Sequence, residues 1–427
     1  MAHTKPRDSS VPNTTHPQGE TSGPETKDST QESEERPAPI ERRGSSFMNF
    51  VASILGSKSP IAHPADPHTN TVWLLDNTAY QPVQEPGETD KPDLPTPWYA
   101  EFVACTFDTE GRKDVGKLVA SIADHVGLDG ETGIRDEEAH QRIVKRIQPF
   151  LDTVCPNRTV TLQLDIAGTE QSHEMGPSDR NGIISQTIEL GAPNIPDGTV
   201  IRPRLANFGN SMAAMETHFA APEGWLIVSD IDDTIKRTMT VDPTGIIRTT
   251  FTEEPVPITD MPEFYRHVHE ELNPTWFYLS ASPYNLYPFL RSFIHEYYIP
   301  GTILLREYSF LDISGLIKSL TERTQEYKTV QMEKIHHWFP ARRVLCIGDS
   351  TQSDPEAYGE IYRRYPTWVH AIAIRKVTGV GHMEEKNKNE RFEAAFKDVP
   401  ASIWTVFEDP SELYGFVDGL GMEDLVL

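Results

Sequence analysis

From Gly224 onward the chain alternates between two textures. Continuous apolar runs of strand length, Trp225 to Val228, Trp276 to Leu279, Thr302 to Leu305, Val344 to Ile347, Val369 to Ile374 and Trp404 to Phe407, predict strands buried on both faces. Between them, Met261 to Leu272, Tyr284 to Tyr297, Tyr327 to Trp338 and Glu356 to Tyr365 predict helices. Strand and helix in alternation predict an α/β fold: a parallel sheet covered by helices on both faces, with right-handed crossovers. Ligands of such sheets sit beyond the carboxyl ends of the strands, where the strand order reverses.

The pattern differs upstream. Residues 66–221 read as a smaller β-rich, sandwich-like domain, with Thr71 to Leu75, Trp98 to Phe107, Val160 to Ile166 and Gly182 to Leu190 as strands between Pro, Gly and Asn signals. Glu137 to Leu151 predicts one helix, and the domain presents no compact acid/base set. Residues 1–65 read as a disordered tail, since Pro, Ser, Thr, Glu and Gly dominate its first 44 positions and bury too little to offset ordering. Within it, Phe47, Phe50, Val51, Ile54 and Leu55 form one apolar face of a short amphipathic helix over 45–56. Basic flanks at Arg42, Arg43 and Lys58 favour an anionic lipid surface over docking on the protein body.

Charge narrows the classes. Asp+Glu 64 against Lys+Arg 39 gives a net charge of −25, which disfavours nucleic acid as a partner. An anionic substrate would therefore be met by a metal and a few bases in a cleft. The polar, Pro-rich start predicts no secretory leader, no apolar run approaches membrane-spanning length, and three scattered cysteines fit reduced thiols in the cytoplasm.

The first strand of the α/β region ends in Asp230-Ile231-Asp232-Asp233-Thr234, three carboxylates in four residues followed by a hydroxyl. Crowded carboxylates repel, and a bound cation relieves them; for oxygen donors that cation is Mg2+. On an extended segment Asp230 and Asp232 point the same way, so one can attack a phosphorus atom while the other carries a proton. A surface turn rich in aspartate accounts for the acids but not for the apolar strand before them, and on this stretch alone the two readings stand level. The order of the downstream residues decides between them: Ser280 after Trp276 to Leu279, then Lys328, then Gly348-Asp349-Ser350 with Asp354.

This ordered set resembles the haloacid dehalogenase superfamily of aspartate-nucleophile phosphatases. It is similar most closely to the fungal actin-patch-protein phosphatidate phosphatases, and more distantly to lipins. The closer resemblance rests on Asp230-Ile231-Asp232-Asp233-Thr234-Ile235-Lys236, Phe277-Tyr278-Leu279-Ser280-Ala281-Ser282-Pro283, Gly348-Asp349-Ser350 with Asp354, and Arg391-Phe392-Glu393-Ala394-Ala395-Phe396. It covers roughly residues 66 to 415, strongly after 223. It implies a haloacid-dehalogenase-like catalytic domain over 222–427 that converts phosphatidate to diacylglycerol and phosphate at a membrane surface. It also implies a cytoplasmic, peripherally membrane-associated protein at cortical actin patches, with endocytic partners recruited by the tail. A non-catalytic phosphatidate-binding adaptor and a phosphatase of small soluble esters are the alternatives.

In that reading Asp230 is the nucleophile and Asp232 the general acid/base. The resemblance implies Mg2+ on Asp230, the main-chain carbonyl of Asp232, and Asp349. It makes Ser280 a donor to the phosphoryl group, although a serine there also suits a helix cap. Lys328, rather than Lys318 or Lys334, neutralises developing charge because it precedes the helix leading to the last motif. Thr234, Asp233 and Asp354 are supporting residues, with Asp354 equally suited to cap the helix at Pro355. Lys236, Arg237 and Arg375 are candidates for the lipid phosphate. Thr238 to Glu254, with Asp242-Pro243-Thr244-Gly245 as its turn, predicts a β-hairpin flap in place of a full cap domain.

Overall fold

Strand β1, Trp225–Asp230, is fully buried and lies at the middle of a six-stranded sheet. The other strands are β2 (Thr275–Pro283), β3 (Thr302–Arg306), β4 (Arg343–Asp349), β5 (Val369–Arg375) and β6 (Trp404–Phe407). The structure is a computed structural model that describes residues 61–83, 95–109, 119, 122, 137–209, 215–307, 313–322 and 324–423. The sheet order is β3-β2-β1-β4-β5-β6 and every pairing is parallel. The order reverses between β1 and β4, so the ends of these two strands flank the crevice that such sheets use for ligands.

Alternation along each strand divides the core. Trp225, Ile227, Trp276, Tyr278, Leu345 and Ile347 face one apolar cluster, while Leu226, Val228, Phe277, Leu279, Val344 and Cys346 face another. Helices Met261–Leu272 and Tyr287–Tyr297 bury Phe264, Tyr265, Leu290 and Phe293 in the first cluster. Helices Thr324–Trp338 and Asp354–Arg364 bury Met332, Ile335, Tyr358 and Ile361 in the second. Both faces are thus covered by helices, which is why the strands carry no polar alternation.

Upstream, a four-stranded and a seven-stranded sheet share a core of their own, formed by Val72, Phe102, Leu162, Leu164, Ile184 and Ile188. Residues 60–427 nevertheless form one compact unit. Trp73, Phe107 and Phe150 from the upstream part pack in the same cluster as Tyr284 and Phe251. The junction is also polar: Thr78 Oγ1 bonds Thr302 Oγ1 at 2.7 Å, and buried Asp76 pairs with Arg291 at 2.5 Å.

The insertion Thr238 to Glu254 is not a β-hairpin. Asp242 Oδ1 accepts the Thr244 N–H at 3.0 Å and Pro243 occupies the first turn, so the Asp-Pro-Thr-Gly stretch starts a helix, Pro243–Ile247, instead of making a turn. A π-helical turn, Arg248–Thr252, continues it, and Ile246, Ile247 and Phe251 are buried. Residues 1–60, with the amphipathic stretch at 45–56, lie outside the described residues, whereas His63–Pro64, at the end of the expected tail, pairs in parallel with Arg158 and Thr159 and so belongs to the upstream sheets. Cys105, Cys155 and Cys346 are buried free thiols. Among the described residues, no helix is long and apolar enough to cross a membrane.

Candidate active site

β1 delivers Asp230 to the carboxyl edge of the sheet, and the chain then folds back on itself. Ile235 and Lys236 N–H groups both bond Ile231 O, and Asp233 takes the left-handed conformation, φ +64°. A non-glycine residue there costs energy that its surroundings must supply. Here they do: the Asp233 carboxylate accepts the N–H groups of Thr238, Met239 and Thr240 at 2.7 to 2.9 Å and the Thr240 hydroxyl at 2.7 Å. This anchors the start of the insertion beside Asp232.

Asp230 is fully buried between two donors, Lys328 Nζ at 2.6 Å and Thr234 Oγ1 at 2.9 Å. Thr234 Oγ1 also reaches Asp349 Oδ2 at 3.4 Å, so one hydroxyl spans the ends of β1 and β4. Lys328 bonds Asp354 as well, and Asp354 Oδ2 in turn accepts the Asp349 N–H at 3.0 Å. Gly348 is required for this contact, because a Cβ there would lie 2.5 Å from Asp354 Oδ2. Carboxylate oxygens of Asp230, Asp349 and Asp354 lie within 4.8 Å of one another, all buried.

The electrostatics follow from that burial. Loss of solvent raises the Asp230 carboxyl well above the ordinary range; Lys328 opposes the rise, and Asp354, Asp349 and Asp232 add to it. Burial likewise raises Asp349, to about 7, helped by Asp354 and Asp233. Burial alone would lower the Lys328 ammonium, but Asp230, Asp354 and Asp349 outweigh it and hold the pKa above the usual lysine range. An oxygen-only set with this much unrelieved repulsion fits a hard divalent cation.

Asp232, also buried, is bonded by hydroxyls instead. Its Oδ1 accepts Thr238 Oγ1 at 2.8 Å, and its Oδ2 accepts Ser280 Oγ at 2.5 Å. Ser280 sits at the end of the apolar part of β2 and accepts the Ser282 N–H at 3.0 Å. The short helical turn after Pro283 has no side-chain cap.

The three basic candidates occupy different settings. Lys236 is buried; its Nζ donates to Thr238 Oγ1 at 2.6 Å and lies 3.8 Å from Asp232 Oδ1, and burial lowers its pKa against the pull of Asp232 and Asp233. Arg375, at the end of β5, donates to Asp233 O at 2.8 Å. Arg237 is half exposed and pairs with Glu253 at 3.1 Å. Lys236 and Arg375 thus serve the acidic loop itself, and Arg237 faces away toward the insertion.

Sequence reasoning misses Thr238, which links Lys236 to Asp232. Its place depends on the reversal at Asp233, for which a run of Asp and Thr gives no local signal. Arg391 is visible only as part of a motif, without a contact that explains it.

Residues 225–376 match the family model described as the phosphatidate phosphatase APP1 catalytic domain. The chain is similar to phosphatidate phosphatase APP1 of Saccharomyces cerevisiae, with 28% identity over 250 residues, 57% of this chain and 41% of that protein. It is also similar to an uncharacterized protein of Schizosaccharomyces pombe, with 28% identity over 159 residues, 36% of this chain and 25% of the relative. The matches span less than half the length of these curated relatives.

Proposed function

We infer, from the match of residues 225–376 to the phosphatidate phosphatase APP1 catalytic-domain model and the similarity to the yeast protein, that the protein hydrolyses phosphatidate to diacylglycerol and phosphate at a membrane surface. The observation that carries the chemistry is the buried group in which Lys328 bridges Asp230 and Asp354 beside Asp349. Four buried ionisable groups in contact are expensive as scaffold and suited to a site that handles a phosphoryl dianion.

Asp230 attacks phosphorus with one carboxylate oxygen, and the ester P–O bond breaks as the new O–P bond forms. Asp232 enters with a proton on its carboxyl and gives it to the departing glycerol oxygen. In the second half Asp232 takes a proton from water as that water attacks the aspartyl-phosphate, which frees Asp230 and phosphate. Lys328 and Thr234 fix the Asp230 carboxylate before attack, so its orientation costs no further ordering in the transition state. Ser280 and Thr238 hold the Asp232 carboxyl in place for both transfers. The donor set fits Mg2+, which would be held by Asp230, Asp349 and the Asp232 carbonyl and would supply charge neutralisation at the phosphoryl oxygens.

Phosphate release from phosphatidate in detergent micelles, with and without Mg2+, tests the reading against a soluble aryl phosphate. Turnover that needs Mg2+ and favours phosphatidate is expected. A preference for the aryl ester would make the protein a phosphatase of soluble esters, and phosphatidate binding without turnover would make it an adaptor.

A further inference from the structure

After β5 the chain runs back across the loop that follows Asp349. Three successive carbonyl oxygens of that loop each meet a cation from it. Arg391 donates to Ser350 O at 2.7 Å and to Gln352 O at 2.6 Å, and Lys386 Nζ donates to Thr351 O. Arg391 also bonds Lys386 O at 2.9 Å and grips Glu356 through two bonds, 2.8 and 2.9 Å. A guanidinium has five N–H donors in a rigid fork, and these five acceptors use them all.

The consequence for Asp349 follows from peptide planarity. Ser350 O and the Thr351 N–H belong to one trans peptide unit and point in opposite directions. Arg391 holds the oxygen, and the N–H on the other side bonds Asp349 Oδ1. Ser350 is fixed at its remaining groups, since its N–H donates to Arg375 O at 3.0 Å and its Oγ accepts the Val377 N–H at 3.0 Å. The guanidinium and the carboxylate are therefore joined across a single rigid plane.

We propose that Arg391 is a positioning residue for a divalent cation: through the Ser350–Thr351 peptide it sets the orientation of the Asp349 carboxylate. This rests on reading Asp349 as a metal ligand. Partners that orient a ligand from behind are worth about 10- to 100-fold in metal affinity. A purely structural Arg391, tying the helix Asn389–Ala395 to Glu356, would affect melting temperature alone.

Titration of the full chain with Mn2+ in the absence of substrate, by calorimetry, separates these accounts. Arg391→Ala is expected to weaken Mn2+ binding at least about 10-fold, and Arg391→Lys to fall between it and the unaltered protein, because an ammonium keeps the charge but lacks the fork. Asp349→Ala should abolish binding. Unchanged affinity in folded Arg391→Ala, or in Arg391→Lys should the alanine variant not fold, overturns the proposal while the loss in Asp349→Ala leaves the metal reading standing. Unchanged affinity in Asp349→Ala overturns both.

Discussion

Lys328 shows how much of the site rests on single charges. It is fully buried between Asp230 and Asp354, and removing it leaves two carboxylates facing each other without solvent. Breaking a buried pair from one side costs about 3 to 5 kcal/mol. Lys328→Ala is therefore expected to lower the thermal midpoint of the metal-free protein, and Mg2+ to recover part of the loss, as differential scanning calorimetry would show. Asp232→Asn separates chemistry from stability. An amide oxygen can still accept from Thr238 or Ser280, but it cannot shuttle a proton, so turnover should fall about 100- to 10,000-fold with little change in melting. Retained turnover in Asp232→Asn would remove it from the proton-carrying role. At this scale most of the chemistry-bearing residues are legible because polar side chains such as Asp230, Ser280 and Asp349 end otherwise apolar runs, whereas Lys328 lies on a helix and is legible only from its place in the order of motifs. Their wiring is not: Thr238, Lys236 and Asp232 meet only because Asp233 turns left-handed.

The six strands of the parallel sheet are legible because strands covered on both faces show as unbroken apolar runs such as Trp225 to Val228. The insertion is not, because Asp-Pro-Thr-Gly serves a helix start as well as a turn, and the burial of Ile246 and Phe251 decides in favour of the helix. The junction between the upstream sheets and the helix Tyr287–Tyr297 is equally hidden, since it depends on Asp76 meeting Arg291 from 215 positions away. Burial would raise the Asp76 carboxyl, but hydrogen bonds with His295 and Arg291 and the Arg291 charge prevail and lower it below 3.8. A depressed carboxylate contributes stability that is complete above its unfolded value and is lost as pH falls through the folded one. Asp76→Ala should therefore destabilise by about 3 kcal/mol at neutral pH, with the gap to the unaltered protein closing below pH of about 4. A gap that stays constant through and below that pH, measured by urea unfolding, would contradict this account of the junction.

Across the whole molecule, a net charge of −25 surrounds a site in which Lys328, Lys236 and Arg375 stand among carboxylates. Under the proposed function a phosphate ester would be met by local geometry against the general field, so added salt should weaken long-range repulsion without dissolving the buried pairs. The upstream sheets share an apolar cluster with the helices that cover the parallel sheet, through Trp73, Phe107 and Phe150 against Tyr284 and Phe251. Deleting residues 1–221 should consequently leave a protein that aggregates or melts well below the longer chain, as size-exclusion chromatography and calorimetry would record.

In the proposed mechanism Asp230 becomes covalently phosphorylated by phosphatidate. Acid-quenched turnover followed by mass spectrometry of the peptide containing Asp230 measures it directly. One added phosphoryl group on that aspartate is expected, absent from Asp230→Asn, which should also release no phosphate. Phosphate release by Asp230→Asn at a rate near that of the unaltered protein would contradict it.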